Sequence, residues 1–190
     1  METDAVMIPL YYHASAVAVK PYLERTFVAN SEVDISTWRI TRVSGEIGTG
    51  GGSLSSYYGD TAIQIPAGAI TDTVVITHSP AYGMPPGGNL TGIGHVFDVT
   101  AVYSNTGQLA QLAPGQTYTI TVQYTDAEEG PAIENTLALY WWDGSQWVKD
   151  PSSAVDTAAN TVTAQPSHFS RWAMLGETWR LYLPLVLKSY

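Results

Sequence analysis

The stretch TYTITVQY, residues 117–124, alternates large apolar or aromatic side chains with polar ones. Successive side chains of a β-strand point to opposite faces of the sheet, so this alternation predicts a strand with one buried face and one exposed face. Thr117, Thr119, Thr121 and Gln123 lie on the face that we expect to be exposed. The face that we expect to be buried carries Tyr118, Ile120, Val122 and Tyr124.

Short runs of β-branched and aromatic residues recur on both sides of this stretch. Turn-forming residues separate them, and Asp143-Gly144 predicts a tight turn that joins two aromatic strands. A parallel sheet needs helical crossovers, and no long amphipathic helix is visible, although residues 14–28 could hold a short one interrupted by Pro21. We therefore predict an all-β fold, an antiparallel Ig-like β-sandwich with a short N-terminal mixed segment. The other predicted strands are TAIQIP (61–66), DTVVITHS (72–79), HVFDVTAVYS (95–104), TLALYWW (136–142), QWVKD (146–150), NTVTAQ (160–165) and FSRWAML (169–175).

Charge and composition exclude several kinds of partner and site. The net charge is −9, and Lys149 is the only Lys or Arg between Val43 and Ser170. Phosphate backbones need cationic partners, so we predict no nucleic-acid binding. The chain has no cysteine, and its four histidines lack ligand spacing, so we expect no metal site and no cofactor. The apolar run LYLPLVL is far shorter than the roughly twenty residues of a membrane-spanning helix.

The chain divides into three segments of different composition. Residues 1–42 hold half of the basic residues, residues 43–176 are acidic and rich in Gly and Thr, and residues 177–190 form an apolar tail. The stretch GEIGTGGGSLSS marks the first boundary and reads as a loop or a flexible approach to a strand. The N-terminal residues METDAVMIPLYY lack the basic and apolar regions of a signal peptide. We also expect residues 1–42 to pack less well than the predicted sandwich.

The middle segment resembles the ZU5-type β-sandwich module of bacterial surface proteins and of animal netrin receptors and ankyrins. The resemblance covers residues 44–176 and is carried by GGSLS, TAIQIPAGAITDTVVIT, LALYWWDGSQWV and NTVTAQPSHFSRWAMLG. In that family the stretch IPAGAI and the Trp-Asp-Gly turn have structural roles. The resemblance therefore implies an interaction or spacer module.

Some relatives of that family cleave themselves between Phe and Ser of a His-Phe-Ser triplet, and this chain contains His168-Phe169-Ser170. By that resemblance the Ser170 hydroxyl would attack the Phe169 carbonyl, with His168 as the general base. The alternative is that the triplet belongs to the last strand, with Phe169, Trp172 and Met174 packing in the sandwich.

The N-terminal segment resembles the end of periplasmic oligopeptide-binding proteins of ABC importers. DAVMIPLYYHASAVAVKPYLERTF and DISTWRI carry this resemblance over residues 1–42. It implies a remnant of a solute-binding protein, because so short a piece cannot form a peptide cleft. It also implies an extracellular, periplasmic or cell-surface location.

A cluster of aromatic residues supplies a candidate binding surface. Alternation places Trp141 on the opposite face from Tyr140 and Trp142, and Trp147 follows in the next predicted strand. Exposed aromatic rings stack on sugars or protein partners, whereas core packing with cross-strand pairing is the structural alternative.

Three hypotheses about function follow from these observations. The first is a noncatalytic accessory or interaction module of an exported bacterial surface or solute-binding protein, with a protein or carbohydrate partner. The second is a self-processing domain that cleaves between Phe169 and Ser170. The third is the C-terminal part of an ABC-importer peptide-binding protein.

Overall fold

The computed structural model describes residues 6–10, 14–18, 23–24, 39–81 and 86–178. Its N-terminal part contains two antiparallel strand pairs. Strand β1 (Val6–Leu10) pairs with β2 (Ala14–Ala18), and β3 (Leu23–Glu24) pairs with β4 (Arg39–Ile40). The expectation of a short helix within residues 14–28 is therefore wrong for the residues of β2 and β3. All five residues of β2 pair with β1 instead. The other expectations for residues 1–42 and for the apolar tail fall largely outside the described residues.

The predicted sandwich is confirmed, with two antiparallel sheets. The larger sheet has six strands, in the spatial order β12 (Trp147–Lys149), β11 (Ala138–Trp142), β15 (Arg171–Glu177), β9 (Leu90–Tyr103), β8 (Val74–Pro80) and β5 (Val43–Ile47). The smaller sheet has five strands, in the order β13 (Ala154–Asp156), β14 (Thr161–Ala164), β10 (Thr119–Gln123), β7 (Thr61–Ile65) and β6 (Gly52–Ser55).

Two short helical segments accompany the sheets. Helix α1 (Asp126–Glu129) begins with a capping box, in which the Glu128 carboxylate accepts hydrogen bonds from the N–H and the hydroxyl of Thr125. A single 3-10 turn covers Glu134–Thr136. No helix in the described ranges has the length and apolar character needed to cross a membrane.

The core lies between the two sheets and follows the predicted alternation. The centre of TYTITVQY is β10, and the four residues of its expected inner face are all buried. Side chains of β7 and β14 join them from the same sheet. The opposite sheet contributes the inward side chains of β8, β9, β11 and β15, among them Trp172, which is fully buried.

The chain crosses between the sheets at two places that matter for the sequence predictions. The glycine-rich stretch is a tight turn between β5 of one sheet and β6 of the other, in which the Gly51 N–H donates to the Gly48 carbonyl at 3.0 Å. Residues 165–170 connect β14 to β15 and contain the His-Phe-Ser triplet. The triplet thus precedes the last strand instead of lying in it, because the chain is changing sheets there.

Strands β8 and β9 lie side by side and carry two histidines on their inner faces. In β8 the buried positions are Val74, Ile76 and His78. In β9 every second residue from Ile93 to Ala101 is buried, and His95 is one of them. Both imidazoles consequently point toward the smaller sheet and the loop that follows β6.

Candidate functional site

A pocket lies between the loop after β6 and the inner face of β8 and β9. We call it the histidine pocket, and its volume is about 190 Å³. The loop contributes Tyr57, Tyr58 and Asp60, whereas the larger sheet contributes His78 and His95. The loop is held by two backbone hydrogen bonds at its ends, from the Ser56 N–H to the Thr61 carbonyl at 2.8 Å and from the Gly59 N–H to the Ser56 carbonyl at 3.1 Å.

Buried polar residues are concentrated at this pocket. Six polar or charged residues are buried in the described ranges, and five of them line the histidine pocket. The sixth, Asp150, has a local role, because its carboxylate accepts a hydrogen bond from the Ser152 N–H at 2.9 Å. Burial of polar groups is costly, so their convergence on one cavity makes it the candidate site. The five residues are Thr41, Ser56, Thr61, His78 and His95.

His78 is the innermost polar group of the pocket. It is 4% exposed, and neither of its ring nitrogens has a hydrogen-bond partner in the described part of the chain. Burial lowers the pKa of His78, and the carboxylates of Asp60 and Asp98 offset only part of that effect. The ring is therefore neutral at pH 7 and presents one N–H donor and one nitrogen acceptor. Phe97 packs against it, with ring centroids 5.0 Å apart.

His95 lies between two carboxylates. Its Nδ1 is 3.6 Å from Asp60 Oδ2, and its Nε2 is 3.6 Å from Glu128 Oε1. The Ser56 hydroxyl donates to the other oxygen of Asp60, and the Thr61 N–H donates to the Ser56 hydroxyl oxygen at 3.0 Å. These hydrogen bonds hold the Asp60 carboxylate in place at the wall of the pocket.

The rim of the pocket is aromatic and open to solvent. Tyr57 is 46% exposed and Tyr58 is 60% exposed. Their rings meet edge to face, with centroids 5.1 Å apart and planes at 86°. Two adjacent exposed tyrosines above a polar floor give the pocket both a stacking surface and hydrogen-bonding groups.

The aromatic residues of the β11–β12 hairpin are divided between the core and the surface. Trp141 packs against the core, and its ring lies 4.7 Å from that of His168. Trp142 and Trp147 are direct cross-strand partners with ring centroids 5.3 Å apart. Tyr140 pairs with Lys149 in the same ladder and is half-buried. The predicted hairpin is confirmed, but none of these four side chains lines the histidine pocket.

The His-Phe-Ser triplet lies at the edge of the sandwich, where its half-buried residues line a cavity of about 510 Å³. The Tyr118 hydroxyl donates to the His168 carbonyl at 3.3 Å, and the Val99 N–H donates to the Ser170 carbonyl at 2.9 Å. The Phe169 ring lies 5.0 Å from that of Tyr118. His168 Nε2 is buried without a hydrogen-bond partner among the described residues. The imidazole of His168 faces the rings of Trp141 and Trp172. Self-cleavage stays a prediction.

No group of three or more His, Asp or Glu side chains in the described ranges is arranged to hold a metal ion. Neither a protein-family model nor a curated protein matches this chain.

The histidine pocket was not predicted from the sequence. Its lining comes from four separate parts of the chain, around residues 41, 56–61, 78–80 and 94–97, which only sheet pairing and sheet packing bring together. A signal was present all the same. His78 and His95 both occupy positions that strand alternation assigns to the core, where an unpaired imidazole is unusual.

Proposed function

We propose that this chain is a noncatalytic β-sandwich binding module, of ZU5-like type, belonging to an exported bacterial surface or solute-binding protein. The observation that carries the proposal is the convergence of five of the six buried polar residues on the histidine pocket. A few convergent polar groups beside aromatic side chains are features of small-molecule sites.

The chemistry of the pocket favours binding over catalysis. The acid-base groups at its wall, Asp60 and His95, lie 3.6 Å apart, and Asp60 is engaged by Ser56. A nucleophile activated by a base would need a hydrogen bond between the two groups. The Ser56 hydroxyl instead donates to a carboxylate and accepts from a backbone N–H, so both of its capacities serve the loop.

The exported location is supported by the two resemblances, and the charge of the chain bears on the kind of partner. The single lysine among eleven acids between Val43 and Ser170 disfavours nucleic acid and anionic membranes as partners. The peptide-importer alternative depends on residues 1–42, most of which lie outside the described ranges.

The proposal is tested by mapping small probes onto the folded full-length chain by amide NMR. The probes are methyl β-glucoside, acetate, tetramethylammonium and N-methylacetamide, each titrated separately. We expect the shifts caused by at least one probe to cluster at Tyr58, Gly94 and His95, which belong to the pocket. Shifts that cluster at Trp142 and Trp147 would contradict the proposal. The absence of shifts at the pocket with every probe would also contradict it.

A further inference from the structure

The histidine pocket borders a second cavity. This cavity, which we call the side cavity, has a volume of about 530 Å³ and shares Tyr58, Asp60 and His95 with the histidine pocket. Its remaining lining comes from Gly59 and from the end of β10 through helix α1, including Gln123 and Glu128. The two cavities therefore lie on either side of one shared wall.

The hydrogen-bonding capacity of His78 narrows the class of ligand. A neutral imidazole offers one donor and one acceptor, and both are unpaired in this buried ring. An anion could satisfy only the donor and would face Asp60 and Asp98, whose charges reach this ring. An ammonium group could satisfy only the acceptor. A hydroxyl group both donates and accepts, so it satisfies either nitrogen.

The aromatic rim narrows the class further. Tyr57 and Tyr58 present exposed rings above the hydroxyl groups of the pocket floor. A sugar ring has hydroxyl groups at its edge and C–H groups on its faces, so it can contact both kinds of surface at once. The floor contributes further hydroxyls from Thr41 and Thr61, which are both buried there.

The dimensions indicate more than one ring. A pocket of about 190 Å³ is smaller than the roughly 300–1,000 Å³ of typical ligand pockets, so it suits a single ring. A second ring linked to the first would pass over the shared wall into the side cavity. There it would meet the exposed amide of Gln123 and the carboxylate of Glu128, which Thr125 holds in place.

Resting on the binding role proposed above, we propose that this site takes a carbohydrate of at least two linked sugar units. The first ring enters the histidine pocket against Tyr57 and Tyr58, and the second occupies the side cavity beside Gln123. The shared wall of Asp60 and His95 contacts the linkage between them.

Calorimetric titration of the full-length chain tests this assignment with matched pairs of sugars. The pairs are glucose with cellobiose, glucose with maltose, N-acetylglucosamine with chitobiose, and mannose with mannobiose. We expect at least one disaccharide to bind tenfold or more tightly than its monosaccharide. Gln123→Ala is expected to remove that advantage without changing the affinity for the monosaccharide, whereas Tyr58→Ala weakens both. Gln64→Ala, at an exposed position of β7, serves as the control that changes neither.

The outcomes separate this inference from the proposed function. Equal affinity for a disaccharide and its monosaccharide overturns the two-ring assignment. Failure of all these sugars to bind, while acetate, tetramethylammonium or N-methylacetamide maps to the histidine pocket, overturns the carbohydrate assignment and leaves the binding role standing. Absence of any probe at the pocket overturns both.

Discussion

His78 occupies a position where the alternation of β8 calls for a core side chain. Val74 and Ile76, at the preceding inward positions, are both completely buried. An aliphatic residue at position 78 would continue the core, whereas the imidazole carries two polar atoms into it. His78 therefore makes the fold less stable than an aliphatic residue at the same position would, as residues at binding sites commonly do.

The pH dependence of stability follows from the same residue. The unfolded chain holds His78 at its ordinary pKa of 6.5, whereas burial lowers that pKa in the folded chain. Below pH 6.5 the unfolded state therefore binds more protons at this residue, and the free energy of unfolding falls as the pH falls. Well above that value the ring is neutral in both states, so the residue contributes no pH dependence. Urea denaturation at several pH values should show a steeper fall for the wild-type chain than for His78→Leu, and equal slopes would contradict this account.

Intact mass measures whether the peptide bond between Phe169 and Ser170 breaks. A noncatalytic module yields a single species of 190 residues after prolonged incubation, with the same behaviour in Ser170→Ala. Fragments spanning 1–169 and 170–190 that disappear in Ser170→Ala would instead establish the self-processing hypothesis. His168→Gln would then show whether the imidazole acts as the base.

At the scale of elements, the turn between β5 and β6 decides how the chain passes from one sheet to the other. Gly51 has a φ of +78°, and a Cβ atom placed there would lie 2.5 Å from the Ile65 carbonyl oxygen. Because of both features, any residue other than glycine at position 51 would require the local backbone to rearrange. The glycine-rich stretch is thus a close crossing of backbone segments, not merely a flexible linker.

Substitution of two glycines in this turn distinguishes a specific crossing from general flexibility. Gly51→Ala should lower the free energy of unfolding by about 2 kcal/mol or more, because a left-handed conformation alone costs roughly 1–3 kcal/mol. Gly50→Ala is the matched control, since no atom lies within 4 Å of its added Cβ. It should change stability by less than about 0.5 kcal/mol. Similar effects of the two substitutions in chemical denaturation would contradict the crossing.

At the scale of the whole molecule, local patterns predicted the sandwich but not its pocket. Alternation in TYTITVQY assigned Tyr118 and Tyr124 to the core correctly. The pattern of apolar and polar residues within one strand is enough to show which of its side chains share the buried face. The sequence prediction wrongly placed Phe169 and Ser170 in the last strand, which begins at Arg171. Alternation does not show where a chain changes sheets. The pocket depends on residues far apart in sequence, so no single run contains its pattern.

The central claim is that the buried imidazole of His78 serves a ligand and not the fold. The most direct measurement is the equilibrium unfolding of His78→Leu at pH 7, compared with the wild-type chain. Because an unpaired buried polar group costs about 1–3 kcal/mol, the variant should be more stable by about 1 kcal/mol and should bind no sugar in the pocket. A variant that is less stable by about 2 kcal/mol, the effect of damaging a packed core, would contradict the claim.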